Sequence, residues 1–254
     1  MVEEKIQNEN IEEPKKVVEK TISQFGINVS EMAEAGLHFG HRTSRIHPKM
    51  KPYISGVKST VHVIDLEQTA QKLEKALEYI KKITLEGKSL VFVGTKVQVK
   101  GLLKSAAQEC GVPYINERWL GGTFTNFKTI KKRIDYFKDL EQKKANGELE
   151  KYTKKERLKM DKELSDMEKK FGGLRNLAGL PDAVFVLDMR KDSLVVKEAI
   201  MKNIPIIAIA DTNVDPDLAT YAIPANDDAV SSVEYILNKV KEVILNNKNK
   251  TKLE

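Results

Sequence analysis

The chain has one cysteine, one tryptophan, few aromatic residues and no long hydrophobic run. The single cysteine, Cys110, excludes an internal disulfide and a cysteine-only zinc site within one chain, and it fits a reducing compartment. Because no run of eighteen apolar residues occurs, we expect no membrane-spanning helix. The N-terminal MVEEKIQNENIEEPKKVVEK also lacks the apolar core of a secretory signal. These absences predict a soluble, cytoplasmic protein without membrane partners.

The motifs of common catalytic and nucleotide-binding sites are absent too. The sequence holds no GxxxxGK[ST], GxGxxG, GxSxG or HExxH pattern and no Cys/His cluster. Gly94-Thr95-Lys96 follows an apolar run and superficially suggests a phosphate loop, but a strand-to-helix turn capped by Thr95 explains it better. The glycine pairs at 121–122 and 172–173 are better explained as hinges. We therefore expect neither enzymatic activity nor a small-molecule substrate, and a nucleotide-dependent enzyme is the rival hypothesis.

What the chain does have is length and a moderate excess of positive charge. Its 254 residues can form one large α/β domain or two small ones and can bury a sizeable core. The 43 basic and 37 acidic residues give a net charge of +6. An excess of this size favours one local basic face over a uniformly cationic surface.

Strand-like runs alternate with helical patterns over residues 30–125 and 172–246. This alternation predicts an α/β domain, discontinuous in sequence, with a flavodoxin- or Rossmann-like doubly wound, mostly parallel sheet. A short helix capped by Ser30 should open it, and Pro224 places the last strand near an edge. We expect a flexible N-terminal extension at 1–29 and a flexible tail at 247–254. The candidate strands are 61–66, 89–94, 113–116, 183–188, 205–211 and 221–224.

The alternation stops between residues 126 and 171, which are rich in charge and contain no strand-like run. Two narrow apolar stripes flank a turn at Ala145-Asn146-Gly147, and Thr153 with Glu156 has the spacing of a capping box. The pattern predicts an inserted antiparallel coiled-coil helical hairpin. An ordinary helix pair packed on the domain is the alternative.

The segment AGLHFGHRTSRIHPKMKPY, residues 35–53, is the most unusual in the chain. It contains three histidines and two prolines but no acidic residue. Its apolar residues are isolated among cations and turn-forming residues, so it cannot bury a core of its own. A solvated basic loop is the plain alternative. The lack of carboxylates, together with rings that can stack on bases, favours a segment that lies along a phosphate backbone.

Acidic residues gather after the later strands. Asp188 and Asp211 each end a predicted parallel strand, so both should face the same edge of the sheet. Asp227 and Asp228 follow the last strand and could join them, and His41 could complete a metal site with nitrogen and oxygen ligands. Carboxylates in such positions also serve as helix caps, and this alternative stays open.

Five long segments carry a family resemblance: AGLHFGHRTSRIHPKMKPYI, VFVGTK, NERWLGGTFTNFKTI, GGLRNLAGLPDAVFVLD and PIIAIADTNVDPDLATYAIPANDDA. Together they resemble the bacterial family of small-subunit ribosomal protein number two, over about residues 30–245. The resemblance implies a flavodoxin-like domain with a coiled-coil hairpin and a structural role. It implies a cytoplasmic, ribosome-bound protein that holds ribosomal RNA between head and body, beside neighbouring small-subunit proteins, and offers a docking surface for the large ribosomal protein number one.

The resemblance also suggests roles for individual residues. No cofactor is required, but a divalent metal, Zn or Mg, is implied at His41, Asp211, Asp227 and Asp228. Trp119 is expected to be a core anchor beneath the hairpin. A protein-interaction module that uses the hairpin, with RNA incidental, is a second rival. The RNA-binding candidates are Arg42, Arg45, His47, Lys49, Lys51, Tyr53, Lys58, Lys96, Arg118 and Arg175, with Lys128 as a further one.

Overall fold

The computed structural model describes residues 24–251, with only the backbone described at 249–251. Of the flexible extension predicted at residues 1–29, residues 1–23 lie outside the described range. The remainder, residues 24–29, is packed and not flexible as predicted: Ile27 is buried, and Phe25 packs against the same core. Within the described range, no helix is both long enough and apolar enough to cross a bilayer.

The described residues form eight strands and seven α-helices. The strands are β1 Phe39–Arg42, β2 Ile54–Lys58, β3 Val61–Ile64, β4 Leu90–Val93, β5 Tyr114–Ile115, β6 Ala183–Val186, β7 Ile206–Ala210 and β8 Tyr221–Pro224. The helices are α1 Val29–Glu34, α2 Leu66–Leu85, α3 Lys100–Cys110, α4 Phe127–Ala145, α5 Lys154–Phe171, α6 Ser193–Met201 and α7 Val230–Thr251.

The main sheet is parallel throughout, in the order β5-β4-β6-β7-β8. Counted within this sheet, the order is 2-1-3-4-5, which is the flavodoxin-like arrangement. Alternate residues face two separate cores: Phe92 and Phe185 face one, and Val91 and Val184 face the other. Burial on both faces explains the continuous apolar runs. The strand that ends at Pro224 lies at an edge, as predicted.

Helices cover both faces of this sheet. On one side α1, α2, α3 and α7 pack against it and enclose the thiol of Cys110. On the other side lie α6 and the part of the inserted helices nearest the sheet, through Ile134 of α4 and Phe171 of α5. The layered α/β class predicted from the sequence is therefore confirmed.

The inserted helices α4 and α5 are joined by a tight connection. Gly147 has φ +73°, which favours glycine, and Thr153 and Glu156 form the predicted capping box. The helices are linked across the pair by Lys144 Nζ, 2.7 Å from Asp161 Oδ1. Since Ile134 shares a core with the sheet, the root of the hairpin packs on the domain. Coiled-coil packing in the remainder stays a prediction.

The run predicted as a strand from Val61 to Leu66 does not join the main sheet. Its first four residues form β3, the middle of a separate antiparallel sheet in the order β1-β3-β2. The turn at Ser59-Thr60 is too short for the crossover that a parallel neighbour requires, so β2 and β3 must pair antiparallel. Neither β1 nor β2 was predicted. Strand β1 lies within the basic segment 35–53 and β2 follows it directly, and the apolar residues of both strands are isolated.

Three helix ends differ from the prediction. Asn28, not Ser30, caps α1, and its Oδ1 accepts from the Ser30 N–H at 2.9 Å. Helix α3 begins at Lys100 with Val99 at its N-cap, so the predicted cap at Thr95 is wrong; the Thr95 hydroxyl donates to Asp192 Oδ1 at 2.8 Å instead. Helix α7 continues to Thr251, although a flexible tail was expected from residue 247. Asn247 is buried and donates to the Lys81 carbonyl at 3.2 Å, so contact with α2 extends the helix.

A buried carboxylate fixes the linker into the hairpin. Glu198 of α6 accepts from the Trp119 indole at 3.1 Å and from the backbone N–H groups of Gly122 at 2.8 Å, Phe124 at 2.9 Å and Thr125 at 3.1 Å. Burial by itself would raise the pKa of Glu198, but these hydrogen bonds lower it below its ordinary value. Trp119 also packs edge-on against Phe124, which confirms it as a core anchor.

We predict that Glu198→Gln lowers the free energy of unfolding by about 3 kcal/mol at neutral pH, because an amide can satisfy only part of this donor set. Since the pKa of Glu198 is lowered on folding, its stabilising effect exists at neutral pH and disappears as pH falls through the lowered pKa. Urea unfolding should therefore show a deficit that shrinks in acid. Glu234→Gln, on the exposed side of α7, is the control; an equal effect of both changes would contradict the prediction.

Candidate nucleic-acid interface and strand-end ion cluster

The antiparallel sheet is attached to the main sheet where β7 ends. The Thr212 hydroxyl accepts from the His41 N–H at 2.9 Å, and the Thr212 carbonyl accepts from the His47 N–H at 2.8 Å. A Cβ at Gly40 would lie 2.6 Å from the Thr212 methyl group, so only glycine allows this approach. The basic stretch is thereby held along the carboxyl-end edge of the parallel strands.

A single ammonium group joins three carboxylates at this edge. Lys96, which follows β4, places Nζ 3.2 Å from Asp188 Oδ2, 3.0 Å from Asp227 Oδ1 and 2.6 Å from Asp228 Oδ1. Burial opposes the charge on Lys96, but the hydrogen bonds and charges of Asp228 and Asp227 raise its pKa. Burial, with the charges of Asp188 and Asp211, raises the pKa of Asp227 to about 7. Lys96 therefore neutralises the fold's own carboxylates.

His41 lies beside this cluster. Its Nδ1 is 3.0 Å from Asp211 Oδ2, and its Nε2 is 2.9 Å from the Asn213 amide and 3.6 Å from Asp228 Oδ2. Asp211 raises the pKa of His41, against the effect of burial. The Asp211 Oδ2 atom is buried, and among the described residues it has the ion pair with His41 but no hydrogen bond of good geometry.

A divalent cation fits part of this arrangement. His41, Asp211 and Asp228 each offer one ligand atom, and these three atoms lie within 4.8 Å of one another. Asp211 Oδ2, which lacks a well-aligned hydrogen bond among the described residues, is available as a metal ligand. Asp227, the fourth residue implied by the resemblance, is directed at Lys96 instead. The structure thus brings three of the four implied ligands together and gives the fourth a different partner.

The candidate RNA-binding cations divide into two groups. In the described part of the chain, five of them are exposed and form no ion pair: Arg42, Arg45, Lys51, Lys58 and Arg118. Lys49 lies 2.9 Å from Asp215 and 2.8 Å from Asp217, Lys96 is held by its aspartates, and Arg175 pairs with Glu141 and Glu168. A phosphate would have to displace these internal partners. The sequence could not reveal the difference for Lys49 and Lys96, because their partners are distant along the chain.

The two ring candidates and the further lysine occupy different settings. Tyr53 is half-buried, with the Lys72 ammonium 5.6 Å from its ring centroid. His47 is half-buried, and its Nδ1 has no hydrogen-bond partner. Lys128 is exposed at the start of α4, away from the antiparallel sheet in sequence.

Two cations at this edge were missed in the sequence. Arg190 and Lys191, which follow β6, line an open cleft of about 430 Å³ together with Arg45, Lys96 and His41. Asp188 was selected because it follows a predicted parallel strand. The same criterion could have found Arg190 and Lys191, which come two and three residues after Asp188. The cleft lies at the point where strand order reverses, between β4 and β6, which is where such sheets bind ligands.

The fold and this edge define a flavodoxin-like α/β protein whose ligand-binding cleft is lined by the chain's own ion pairs. The family model of ribosomal protein S2 matches residues 32–247. The chain is 48% identical to the small ribosomal subunit protein uS2 of Dictyoglomus thermophilum over 88% of its own length and 91% of that protein. It is 47% identical to the uS2 protein of Dictyoglomus turgidum, over 86% and 89%. The chain therefore belongs to the ribosomal protein S2 family.

Family membership confirms several predictions from the sequence. The chain is a structural, non-enzymatic protein of the small ribosomal subunit, and it is bound to the ribosome in the cytoplasm. The nucleotide-dependent enzyme is accordingly excluded. The glycines missing from Gly94-Thr95-Lys96 agree with this, because that turn serves to deliver Lys96 to the aspartates.

We predict that Lys96→Met lowers the free energy of unfolding by about 3–5 kcal/mol, because it leaves buried carboxylates without their counter-ion. Lys100→Met is the matched control, since Lys100 pairs with Glu117 at an exposed position and should cost less than about 1 kcal/mol. Urea unfolding of both variants at neutral pH measures the difference. Equal losses would show that the buried cluster contributes no more than a surface ion pair.

Proposed function

We propose that the chain binds small-subunit ribosomal RNA through its antiparallel sheet and the adjoining loop. One observation carries the proposal: residues 35–64 contain no acidic side chain, and they present four exposed cations, Arg42, Arg45, Lys51 and Lys58, that form no ion pair with any residue the structure describes. Exposed cations without competing carboxylates are suited to phosphate oxygens. Such contacts fix the position of the protein on RNA without reading its sequence.

The engaged cations have another role in this proposal. Lys49 holds the loop to Asp215 and Asp217, so it shapes the surface on which its neighbours meet RNA. Arg118, in the linker fixed by Glu198, and Lys128 at the root of the hairpin supply contacts at a second place. His47 and Tyr53 contribute ring and polar contacts to sugars or bases.

The position between head and body of the subunit, and the contacts with neighbouring proteins, belong to the same proposal. So does a docking surface for the large ribosomal protein number one, in organisms that have it. The resemblance supports these points, and the projecting part of the α4–α5 hairpin offers a surface suited to such contacts. Deleting residues 128–170 should only weaken RNA association; if RNA association survives intact while partner binding is lost, the hairpin serves proteins alone.

The first experiment is sedimentation of native lysate on a sucrose gradient, with the chain followed by antibody at low and at moderate salt. Co-migration with small subunits through the moderate-salt wash is expected. A chain found only at the top of the gradient, in low salt and ample magnesium, would overturn the proposal. Binding to isolated small-subunit RNA then separates contacts with RNA from contacts with proteins.

We predict that Arg45→Gln weakens RNA binding and reduces the slope of log affinity against log salt by about one, because one phosphate contact is lost. Lys104→Gln, on the exposed side of α3, removes the same charge from another layer of the fold and should leave the slope unchanged. Filter binding to small-subunit RNA over a salt series measures both. An unchanged slope for Arg45→Gln would remove it from the interface.

A divalent metal is a second candidate ligand, and it would cross-link the antiparallel sheet to the strand ends. His41, Asp211 and Asp228 would hold it, and one imidazole with two carboxylates suits Zn²⁺ better than Mg²⁺. We predict that Zn²⁺ raises the melting temperature of the full chain and that Asp211→Asn abolishes this increase. Asp217→Asn, outside the cluster, should keep it. No increase in the unchanged chain would contradict the proposal.

A further inference from the structure

An irregularity in β1 changes which side chains share a face of the antiparallel sheet. Phe39 lies opposite Val63 and Arg42 lies opposite Val61, so three steps along β1 match two steps along β3. In a regular strand, residues three apart point to opposite faces. The bulge between them absorbs the extra residue and brings Phe39 and Arg42 to the same face.

Lys58 completes this face from the other side. Lys58 is on β2 and lies opposite Val61 of β3. Arg42, Val61 and Lys58 therefore form one row across the sheet, and Phe39 and Val63 form the next row. Two residues along a strand cover about 6.6 Å. The aromatic ring is therefore roughly one nucleotide step from the row that carries both cations.

Phe39 is unusually exposed for a ring attached to a rigid strand. Its side chain is 47% exposed, and Val61 and Val63 beside it are half-buried. The ring is braced from its own side: the centroid of the His38 ring lies 3.9 Å from that of Phe39. Burial, and then the charge of Lys58, lower the pKa of His38, so the bracing imidazole is neutral at physiological pH.

The turn that follows Lys58 is held in an unfavourable conformation. Ser59 and Thr60 have φ of +50° and +66°, a region that a β-branched threonine rarely adopts. The Thr60 carbonyl accepts from the Thr43 N–H at 2.9 Å, which ties the turn to the end of β1. Two consecutive residues with positive φ form the tight turn that suits a two-residue hairpin loop. The turn places Lys58 in the same row as Arg42, with Val61 of β3 between them.

The charge on this face selects the kind of occupant. A single exposed apolar side chain needs no explanation on its own. This ring, however, has an exposed arginine and an exposed lysine in the adjoining row, neither has an ion pair within the described residues, and no carboxylate occurs from residue 35 to residue 64. A protein partner would have to bring carboxylates for the cations and an aromatic ring for Phe39 from separate side chains. A nucleotide carries a flat base and a charged phosphate in one unit, so it matches the ring and the cations together.

We propose that Phe39 is a stacking platform for one unpaired base of ribosomal RNA, with Arg42 and Lys58 holding the phosphates beside that base. This inference rests on the proposed function and adds to it a contact that depends on an aromatic face. Stacking depends weakly on salt, whereas phosphate contacts depend strongly on it. The two kinds of contact can therefore be separated by experiment.

The test uses small subunits assembled with the full chain or with a Phe39 variant, and it measures chemical reactivity of each nucleotide of the ribosomal RNA. Phe39→Leu keeps apolar area but removes the aromatic face, so one or two protected nucleotides should become reactive. Phe39→Trp should restore their protection. In binding to small-subunit RNA, Phe39→Leu should weaken affinity by about 5- to 150-fold with an unchanged salt slope.

Two further variants distinguish the possible failures. Val57→Ala removes a side chain that is 57% exposed on the same sheet, in the row of His62 on the other face, and should change no nucleotide. Arg42→Gln should lower the salt slope by about one. If Phe39→Leu is incorporated and every nucleotide reacts as before, or only a neighbouring protein is released, the platform is refuted while RNA binding stands. If the unchanged chain binds no RNA, the proposed function itself fails.

Discussion

The ion pairs of Lys96 hold together the edge on which the rest of the surface depends. Three of the parallel strands end in groups of like charge, and Asp188, Asp227 and Asp228 could not lie so close without a cation between them. In a flavodoxin-like sheet this position is normally open to a ligand. Here the chain supplies its own cation, so the edge is ordered and can carry a second sheet.

That second sheet is attached through specific contacts at the end of β7. Thr212 serves both His41 and His47 through its hydroxyl and carbonyl groups, and the absence of a side chain at Gly40 lets the strands approach. The rings of two histidines in residues 35–53 also have partners within the fold. His41 meets Asp211 and Asn213, and His38 braces Phe39. The exposed cations of residues 35–64, Arg42, Arg45, Lys51 and Lys58, form no ion pair within the described residues.

The sequence predicted the parallel sheet well because its signal is local. Continuous runs such as Leu90–Val93 are buried on both faces, and the cap at Thr153 acts within one turn of helix. Strands β1 and β2 of the antiparallel sheet were missed since they contain few apolar residues and β1 is attached to Thr212, far along the chain. The same reason hid the difference between Lys49 and Lys51: one meets Asp215, far along the chain, and the other meets no carboxylate in the described structure.

The hairpin also has a consequence for how the chain reaches its native state. Leu90 pairs with Ala183, and all of α4 and α5 lies between these two neighbours in the sheet. During synthesis, β4 emerges well before β6, the neighbouring strand with which it pairs. The apolar residues of β4 stay partly uncovered until β6 has been made. A hairpin that forms from local contacts brings its own two ends together, so the search for β6 is shortened to the linkers on either side. Folding of the hairpin thus offsets part of the loop-closure cost that its length would otherwise add.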